Sequence, residues 1–315
     1  MTAVALTLYP LLAAFILPRV LGRAGWADRA PRLAITLWQA ACASVVGSVL
    51  LAAFVLAVPP AVVGHGLAAF FAACTAWLTH GTGMTVATTG IAVTVAGAVV
   101  TRIAYRTAAV LVRARTERRR HAEVLARLGR HDERLGAIVV DYDERLAYCL
   151  PGRRASTVIT TGALRSLSPE QVAAVLAHER AHLRGRHHLV VAGAEALATA
   201  FPRVPLFERA RAELAGLVEL LADDMAARRH PRVLIATALV GLATGRTPAS
   251  ALGAGGDTAL ARVRRMLRPE TPLGRGQRLA GALTVGLLLG GPAVVALLPG
   301  LGSFLAHHCH ELLAR

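Results

Sequence analysis

Two histidines and a glutamate within one short stretch are the residues of this sequence best suited to chemistry. The stretch 178–182 reads H-E-R-A-H, which is the pattern H-E-x-x-H. On a helix, four-residue spacing puts both imidazoles on one face, close enough to bind one zinc ion, with Glu179 beside them. A catalytic zinc takes three protein ligands and keeps a position open for water. His178 and His182 therefore need a third ligand from elsewhere in the chain.

The third ligand is predicted on a second helix, about 40 residues further along the chain. Glu219 opens the stretch E-L-L-A-D, so Asp223 lies one turn later on the same face. An aspartate there can accept the free ring N–H of a ligand histidine. Glu208 and Glu213 are alternatives, but neither has an aspartate four residues later. The pattern favours Glu219.

This set of residues predicts hydrolysis of a peptide bond. Zinc lowers the pKa of a bound water toward about 7, and Glu179 can take the proton as that water attacks a carbonyl. Glu179 can then pass the proton to the leaving amine. Such sites often add a second donor to the oxyanion, and the sequence nominates Arg228, Arg229 or His230.

The helix that carries the histidines has a well-marked start. Ser168 is suited to the N-cap, Pro169 to the first helical position and Gln171 to the third, which together form a capping box. A charged helix is predicted earlier, at residues 115–128.

Three β-prone runs lie between the charged helix and the histidine helix, at residues 136–140, 146–150 and 156–161. Their Val, Ile and Thr content predicts a short antiparallel sheet. We expect the run 156–161 to be an edge along which an extended substrate pairs through its main chain.

Composition points to a membrane, because 55% of the residues are hydrophobic, more than in an ordinary soluble enzyme. Four apolar runs are long enough to span the bilayer as helices. They are residues 3–20, 33–58, 84–112 and 279–298. The formal charge of +16 comes from arginine alone, clustered beside these runs. Such clusters are typical of cytoplasmic loops near anionic lipid, so direct nucleic-acid binding is not expected.

The positions of the arginines also predict the topology. The segments 22–32 and 113–120 are both arginine-rich and hence cytoplasmic, so an even number of spans must separate them. The apolar run 61–78 is therefore assigned to an outer loop or a re-entrant segment. The result is a multi-pass protein of the cell membrane with both termini outside. Its cytoplasmic peptidase domain covers residues 113–278, and a short outer tail covers residues 299–315.

Several possible metal ligands gather on the predicted outer face, namely His65, His80, His307, His308, Cys309 and His310. They either bind copper or zinc and signal across the bilayer, or form a tail without such a role.

The motifs resemble those of the BlaR/MecR-type integral-membrane zinc metallopeptidases, a resemblance that covers nearly the whole chain. It is carried by residues 173–188, by P-G at 151–152 and T-T-G at 160–162 ahead of them, and by residues 219–223 behind. The core pattern is also shared with CAAX-protease and HtpX-type membrane peptidases.

The resemblance implies that His178, His182 and Glu219 bind zinc and that Glu179 is the base. A histidine at the position of His187 is part of the shared pattern. We expect this side chain to turn away from the metal, because it lies five residues past His182.

In the family resembled, an outer sensor domain detects an antibiotic and the peptidase leads to loss of a transcriptional repressor. Only about 17 residues follow the last predicted span here, too few for such a sensor. Cleavage of a BlaI/MecI-like repressor is therefore an analogy with that family.

The sequence thus predicts an α-helical integral membrane protein with about four transmembrane helices and a small α+β zinc-metallopeptidase domain that acts on a protein substrate. Two alternatives stay open. One is an HtpX-like protease for membrane protein quality control, and the other is a non-catalytic signalling scaffold with a structural zinc site. Glu179 argues against the scaffold, because a closed structural site needs no base.

Overall fold

Long helices and one small sheet make up the structure, a computed structural model that describes residues 2–57, 83–152, 155–243, 254–269 and 271–313. The helices are α1 (Thr2–Gly22), α2 (Pro31–Ala57), α3 (Gly83–Leu128), α4 (Thr161–Ser166), α5 (Pro169–Arg184), α6 (His187–Ala200), α7 (Pro205–Ala227), α8 (Arg232–Ala243), α9 (Ala254–Leu267) and α10 (Arg275–Leu313). The strands are β1 (Gly129–Asp132), β2 (Ala137–Val140), β3 (Ala147–Leu150) and β4 (Ser156–Thr160).

Four helices of the described residues are long and apolar enough to cross a membrane: α1, α2, α3 and α10. They contain most or all of each predicted span. Helix α10 continues beyond residue 298 to Leu313, so the backbone of His307, His308, Cys309 and His310 is helical. The predicted outer loop 61–78, with His65 and His80, lies outside the described residues.

Helix α3 unites two elements that the sequence predicts separately, the apolar span 84–112 and the charged helix 115–128. The chain has no glycine or proline between Gly97 and Gly129, so nothing interrupts the helix. A salt bridge of 3.0 Å between Arg113 and Glu117 lies on the polar part of α3. The helix therefore leads directly from the apolar region to the sheet.

The sheet is mixed, so the prediction of an antiparallel sheet is wrong. Its strand order is β1-β2-β4-β3, and β2 pairs with β4 in parallel, while the other two pairings are antiparallel. Val158 and Ile159 of β4 are fully buried, as expected for an inner strand. The expectation that the run 156–161 forms an edge is therefore also wrong, and β3 is the edge strand on that side.

Strand β1 was not predicted, because its sequence Gly-Arg-His-Asp contains no β-branched residue. It forms as one arm of a hairpin with β2. The turn is closed by Asp132, whose Oδ1 accepts hydrogen bonds from the backbone N–H groups of Arg134 and Leu135 at 2.9 and 3.1 Å. Gly136 completes the turn at φ 56°, a conformation that favours glycine.

Helix α5 starts at the predicted capping box. The hydroxyl of Ser168 accepts from the backbone N–H of Gln171 at 3.3 Å, and the Gln171 side chain accepts from the backbone N–H of Ser168 at 2.9 Å. Beyond this cap, Val172, Val175 and Leu176 pack in one buried cluster with residues of the sheet. The cap and this packing fix the helix that presents the two histidines.

Helix α7 shares the largest buried cluster with the apolar helices. Its members include Leu37, Trp38, Ala41 and Val45 of α2 and Leu206, Phe207, Leu214, Leu217 and Val218 of α7. Burying each large side chain stabilises the fold by about 1.5–3 kcal/mol. The predicted cytoplasmic domain is therefore packed directly onto α1 and α2, and Glu219 lies on the helix that makes this contact.

Candidate active site

Helix α5 presents His178 and His182 on one face, as their spacing predicts. Their Nε2 atoms lie 3.1 Å apart, and His178 is buried. Each ring keeps its second nitrogen, Nδ1, for a partner on the side away from this face.

Glu219 comes from α7 and reaches both histidines. Its Oε2 lies 3.4 Å from Nε2 of His178, and its Oε1 lies 3.3 Å from Nε2 of His182. Three ligands at about 2.0–2.1 Å from a tetrahedral zinc would lie about 3.3 Å from one another. The observed spacings of 3.1–3.4 Å fit that requirement, so these donor atoms can hold a zinc ion.

Asp223 lies behind His178, fully buried. Its Oδ1 is 2.9 Å from Nδ1 of His178, within hydrogen-bond distance, although the ring N–H is not well aligned with it. This is the contact that the E-x-x-x-D spacing predicts. Nε2 of His178 faces the candidate metal position, with a guanidinium nitrogen of Arg262 3.4 Å away.

Arg262 of α9 is the main site residue that sequence reasoning missed. Its guanidinium donates to both carboxylate oxygens of Asp223 at 2.7 and 2.8 Å and lies 3.0 Å from Oε2 of Glu219. In the sequence it is one of several arginines between residues 262 and 278, and residue type does not single it out. A buried aspartate needs a cation, so an aspartate behind His178 implies an arginine close to it.

His187 contacts the site from the opposite side. Its Nδ1 lies 3.0 Å from Nδ1 of His182, and it is buried. It lies on the side of His182 away from the candidate metal position, yet its ring stays packed against that of His182. The reason is that α5 ends at Gly185, and Arg186, in the left-handed conformation at φ 49°, leads the chain back at the start of α6.

Glu179 and Cys149 both line the cavity next to the histidines. Burial raises the pKa of Glu179 to about 7, which suits a base that works near neutral pH. The Cys149 thiol on β3 is close enough to Glu179 for each group to shift the pKa of the other. Burial, and then the charge of Glu179, raise the pKa of Cys149 to about 11, so the thiol stays protonated. No local sequence pattern marks Cys149.

The buried charges balance one another. Burial lowers the pKa of His178, but Asp223 and Glu219 outweigh burial and raise it to about 9. Burial lowers the pKa of His182 to about 4. Burial raises the pKa of Asp223, but hydrogen bonds from Arg262 and His178 outweigh it and lower the pKa to about 2. Burial also raises the pKa of Glu219, but the hydrogen bond from His178 and the charge of Arg262 outweigh it and lower the pKa. Both carboxylates therefore stay ionised, Glu219 toward the metal position and Asp223 behind it.

The cavity at this site has a volume of about 450 Å³ and is lined by β3, α5, α7, α8 and α9. Arg228, Arg229 and His230, nominated as oxyanion donors, are not among its lining residues. They lie just past the C-terminal end of α7. The structure therefore does not bring these three residues to the site, and the arginine found there is Arg262.

Residues 112–243 match the family model of Peptidase family M48. The matched segment contains H-E-x-x-H, Glu219 and Asp223, and it ends before Arg262. No curated protein and no solved structure matches the chain. The match does not single out the BlaR/MecR type that the motifs resemble. It supports an M48 family metallopeptidase.

Proposed function

We propose that the chain is a membrane-embedded zinc metalloendopeptidase that cleaves a protein substrate on the cytoplasmic side of the membrane. The observation that carries this proposal is the spacing of the ligand atoms of His178, His182 and Glu219, which suits one zinc ion. Glu179 lies beside them in a cavity large enough for a peptide segment. The match to Peptidase family M48 supports the same activity.

The chain's own residues divide the chemistry between them. When bound, zinc supplies the Lewis acidity that activates water and polarises the scissile carbonyl. Glu179 accepts the proton of the attacking water and returns it to the leaving amine. Asp223 and His187 orient the two ligand histidines through their Nδ1 atoms, so that each Nε2 faces the metal position.

The substrate lies along β3 in this proposal. β3 is an edge strand, and its residues Ala147, Tyr148 and Cys149 line the cavity. An extended peptide can add to such an edge through main-chain hydrogen bonds. This pairing would bring a scissile bond past Glu179, which lines the same cavity as Cys149.

The membrane location rests on the surface of the long helices. Large apolar side chains of α1 and α10 are exposed, and Leu287 on α10 is 72% exposed. An exposed apolar band of this kind is expected to face lipid. The arginine-rich segments support an active site in the cytoplasm and termini on the outside.

The orientation can be tested with Cys309 in a variant whose other three cysteines are replaced by serine. A membrane-impermeant maleimide should label Cys309 in intact cells. Labelling only after the cells are opened would contradict an outer C-terminus.

The activity is tested by comparing detergent-purified wild type with Glu179→Gln on unfolded casein and on a BlaI/MecI-like repressor. Both proteins should contain zinc, and only the wild type should cut. If both hold zinc and neither cuts, even with lipid restored, the signalling scaffold replaces the enzyme.

The same assay separates the two enzymatic alternatives. Cleavage of the folded repressor at one site supports the regulatory role by analogy with the BlaR/MecR type. Broad cleavage of unfolded casein, with the repressor untouched, supports quality control of membrane proteins.

A further inference from the structure

A second cavity continues the catalytic one past the end of β3. It has a volume of about 970 Å³. Cys149 of β3 and His182 of α5 line the catalytic cavity. The next residue of each element, Leu150 on β3 and Leu183 on α5, lines the second cavity. A peptide that runs along β3 past the site would therefore enter the second cavity at one end.

Unpaired positive charge lines this second cavity. Arg115, Arg118 and Arg119 come from α3, and Arg186 comes from the turn between α5 and α6. Among the described residues, none of these four arginines forms a salt bridge, and no acidic residue lines the cavity. Burial, and then Arg118 and Arg186, lower the pKa of His188 there. We name this cavity the basic groove.

The position of the basic groove along α3 favours a peptide over a lipid headgroup. Its α3 residues run from Leu111 to Ala122, which at about 1.5 Å per residue is roughly 16 Å of helix. The headgroup layer on one side of a bilayer is only about 5–8 Å thick. With residue 112, the end of the predicted span, taken as the start of the headgroup layer, most of the groove lies beyond that layer.

We propose that the basic groove binds acidic residues of the substrate on one side of the scissile bond and thereby makes the enzyme selective for acidic segments. This inference rests on the proposed peptidase function. An extended peptide advances about 3.3 Å per residue, so the groove spans about five substrate residues. The acidic residues would lie about two to six positions from the scissile bond.

The test uses a peptide that spans a bond of casein or of the repressor cut by the wild-type protein. Three versions carry Asp and Glu on the N-terminal side of that bond, Asp and Glu on its C-terminal side, or the isosteric Asn and Gln on both sides. We expect kcat/KM for one of the acidic versions to exceed that for the neutral version about tenfold, in line with a few partly exposed ion pairs.

The groove variant is Arg118→Glu/Arg119→Glu, and it should reverse the preference in favour of a version with Lys at the same positions. The matched control is Arg120→Glu/Arg127→Glu, which makes the same charge change at exposed arginines of α3 outside the groove. The control should keep the acidic preference of the wild type. A preference that falls equally in both variants would show a general charge effect and overturn the proposal.

The remaining outcomes separate this inference from the function on which it rests. If the wild type cuts neither casein nor the repressor, the peptidase proposal fails and the selectivity falls with it. If it cuts the acidic and neutral peptides equally, only the selectivity fails. If Arg118→Glu/Arg119→Glu changes binding to vesicles with and without anionic lipid but not the peptide preference, the groove is a lipid site and the proposal is wrong.

Discussion

The two candidate ligand histidines are held by different chemistry. Nδ1 of His178 lies 2.9 Å from Asp223, which is fully buried and paired with Arg262. Nδ1 of His182 lies 3.0 Å from Nδ1 of His187, whose pKa is lowered by burial, so that contact joins two neutral rings. The first arrangement connects α5, α7 and α9. The second connects only α5 and the start of α6, which follow each other in the chain. We therefore expect the charged side to matter more for both stability and metal affinity.

The largest effect is expected for Asp223→Ala. This change leaves the guanidinium of Arg262 without its main buried partner and Nδ1 of His178 without its nearest carboxylate. Removing one member of a buried pair costs about 3–5 kcal/mol in the free energy of unfolding. Loss of the histidine's partner should also weaken zinc binding about 10-fold to 100-fold. Urea denaturation and competition with a chelator measure the two effects.

Asp224→Ala is the matched control for that change. Asp224 follows Asp223 on α7 and pairs with Arg265, and the Asp224 side chain is 30% exposed. Its removal should cost less than that of Asp223, because water reaches the Asp224 carboxylate, although Arg265 is as buried as Arg262. Equal losses in the two variants would refute the special role of the buried pair.

A double-mutant cycle of Asp223→Ala and Arg262→Ala should show the next largest effect. Each single change leaves a buried charge unpaired, whereas the double change removes both. We expect the double variant to lose less stability than the sum of the single changes, by about 1–3 kcal/mol. Arg264→Ala, at an exposed position of the same helix, should give no coupling with Asp223→Ala. If the stability losses of Asp223→Ala and Arg262→Ala simply add in the double variant, the ion pair contributes nothing to stability.

The same contrast explains which parts of the site could be predicted. His178, Glu179 and His182 lie within five residues, and Glu219 and Asp223 share one helix face, so helical geometry alone relates them. The partners of these residues come from other elements. Arg262 approaches by packing of α9, and His187 by the chain reversal at Arg186. Neither tertiary packing nor a left-handed residue is visible in local spacing.

The fold, like the site, has features that the sequence predicts and features that it does not. Apolar length predicts the four long helices, because that property belongs to each segment alone. Strand order depends on which strands meet, so the sequence predicts the runs of β2, β3 and β4 but not the parallel pairing of β2 with β4. That pairing is what turns β3 into the edge that borders the cavity.

A smaller effect is expected for His187→Ala on the neutral side of the site. The change removes the ring that holds Nδ1 of His182 but leaves no buried charge unpaired. Zinc affinity should fall about threefold to tenfold, at or below the low end for partners of ligand histidines. His188→Ala, one residue later and outside the contact with His182, should leave zinc affinity unchanged. A loss as large as that of Asp223→Ala would remove the contrast between the two sides.

The smallest effect is expected for Gly185→Ala, which acts on the same contact without removing it. A Cβ at this position would lie 2.3 Å from Nε2 of His187, so the ring must shift away. Zinc affinity should fall by no more than in His187→Ala, and the double variant should bind zinc as well as His187→Ala, because the clash disappears with the ring. Gly193→Ala is the control, since a Cβ there meets nothing within 4 Å. If chelator competition gives Gly185→Ala and Gly193→Ala the same zinc affinity, the His187 contact does not orient His182.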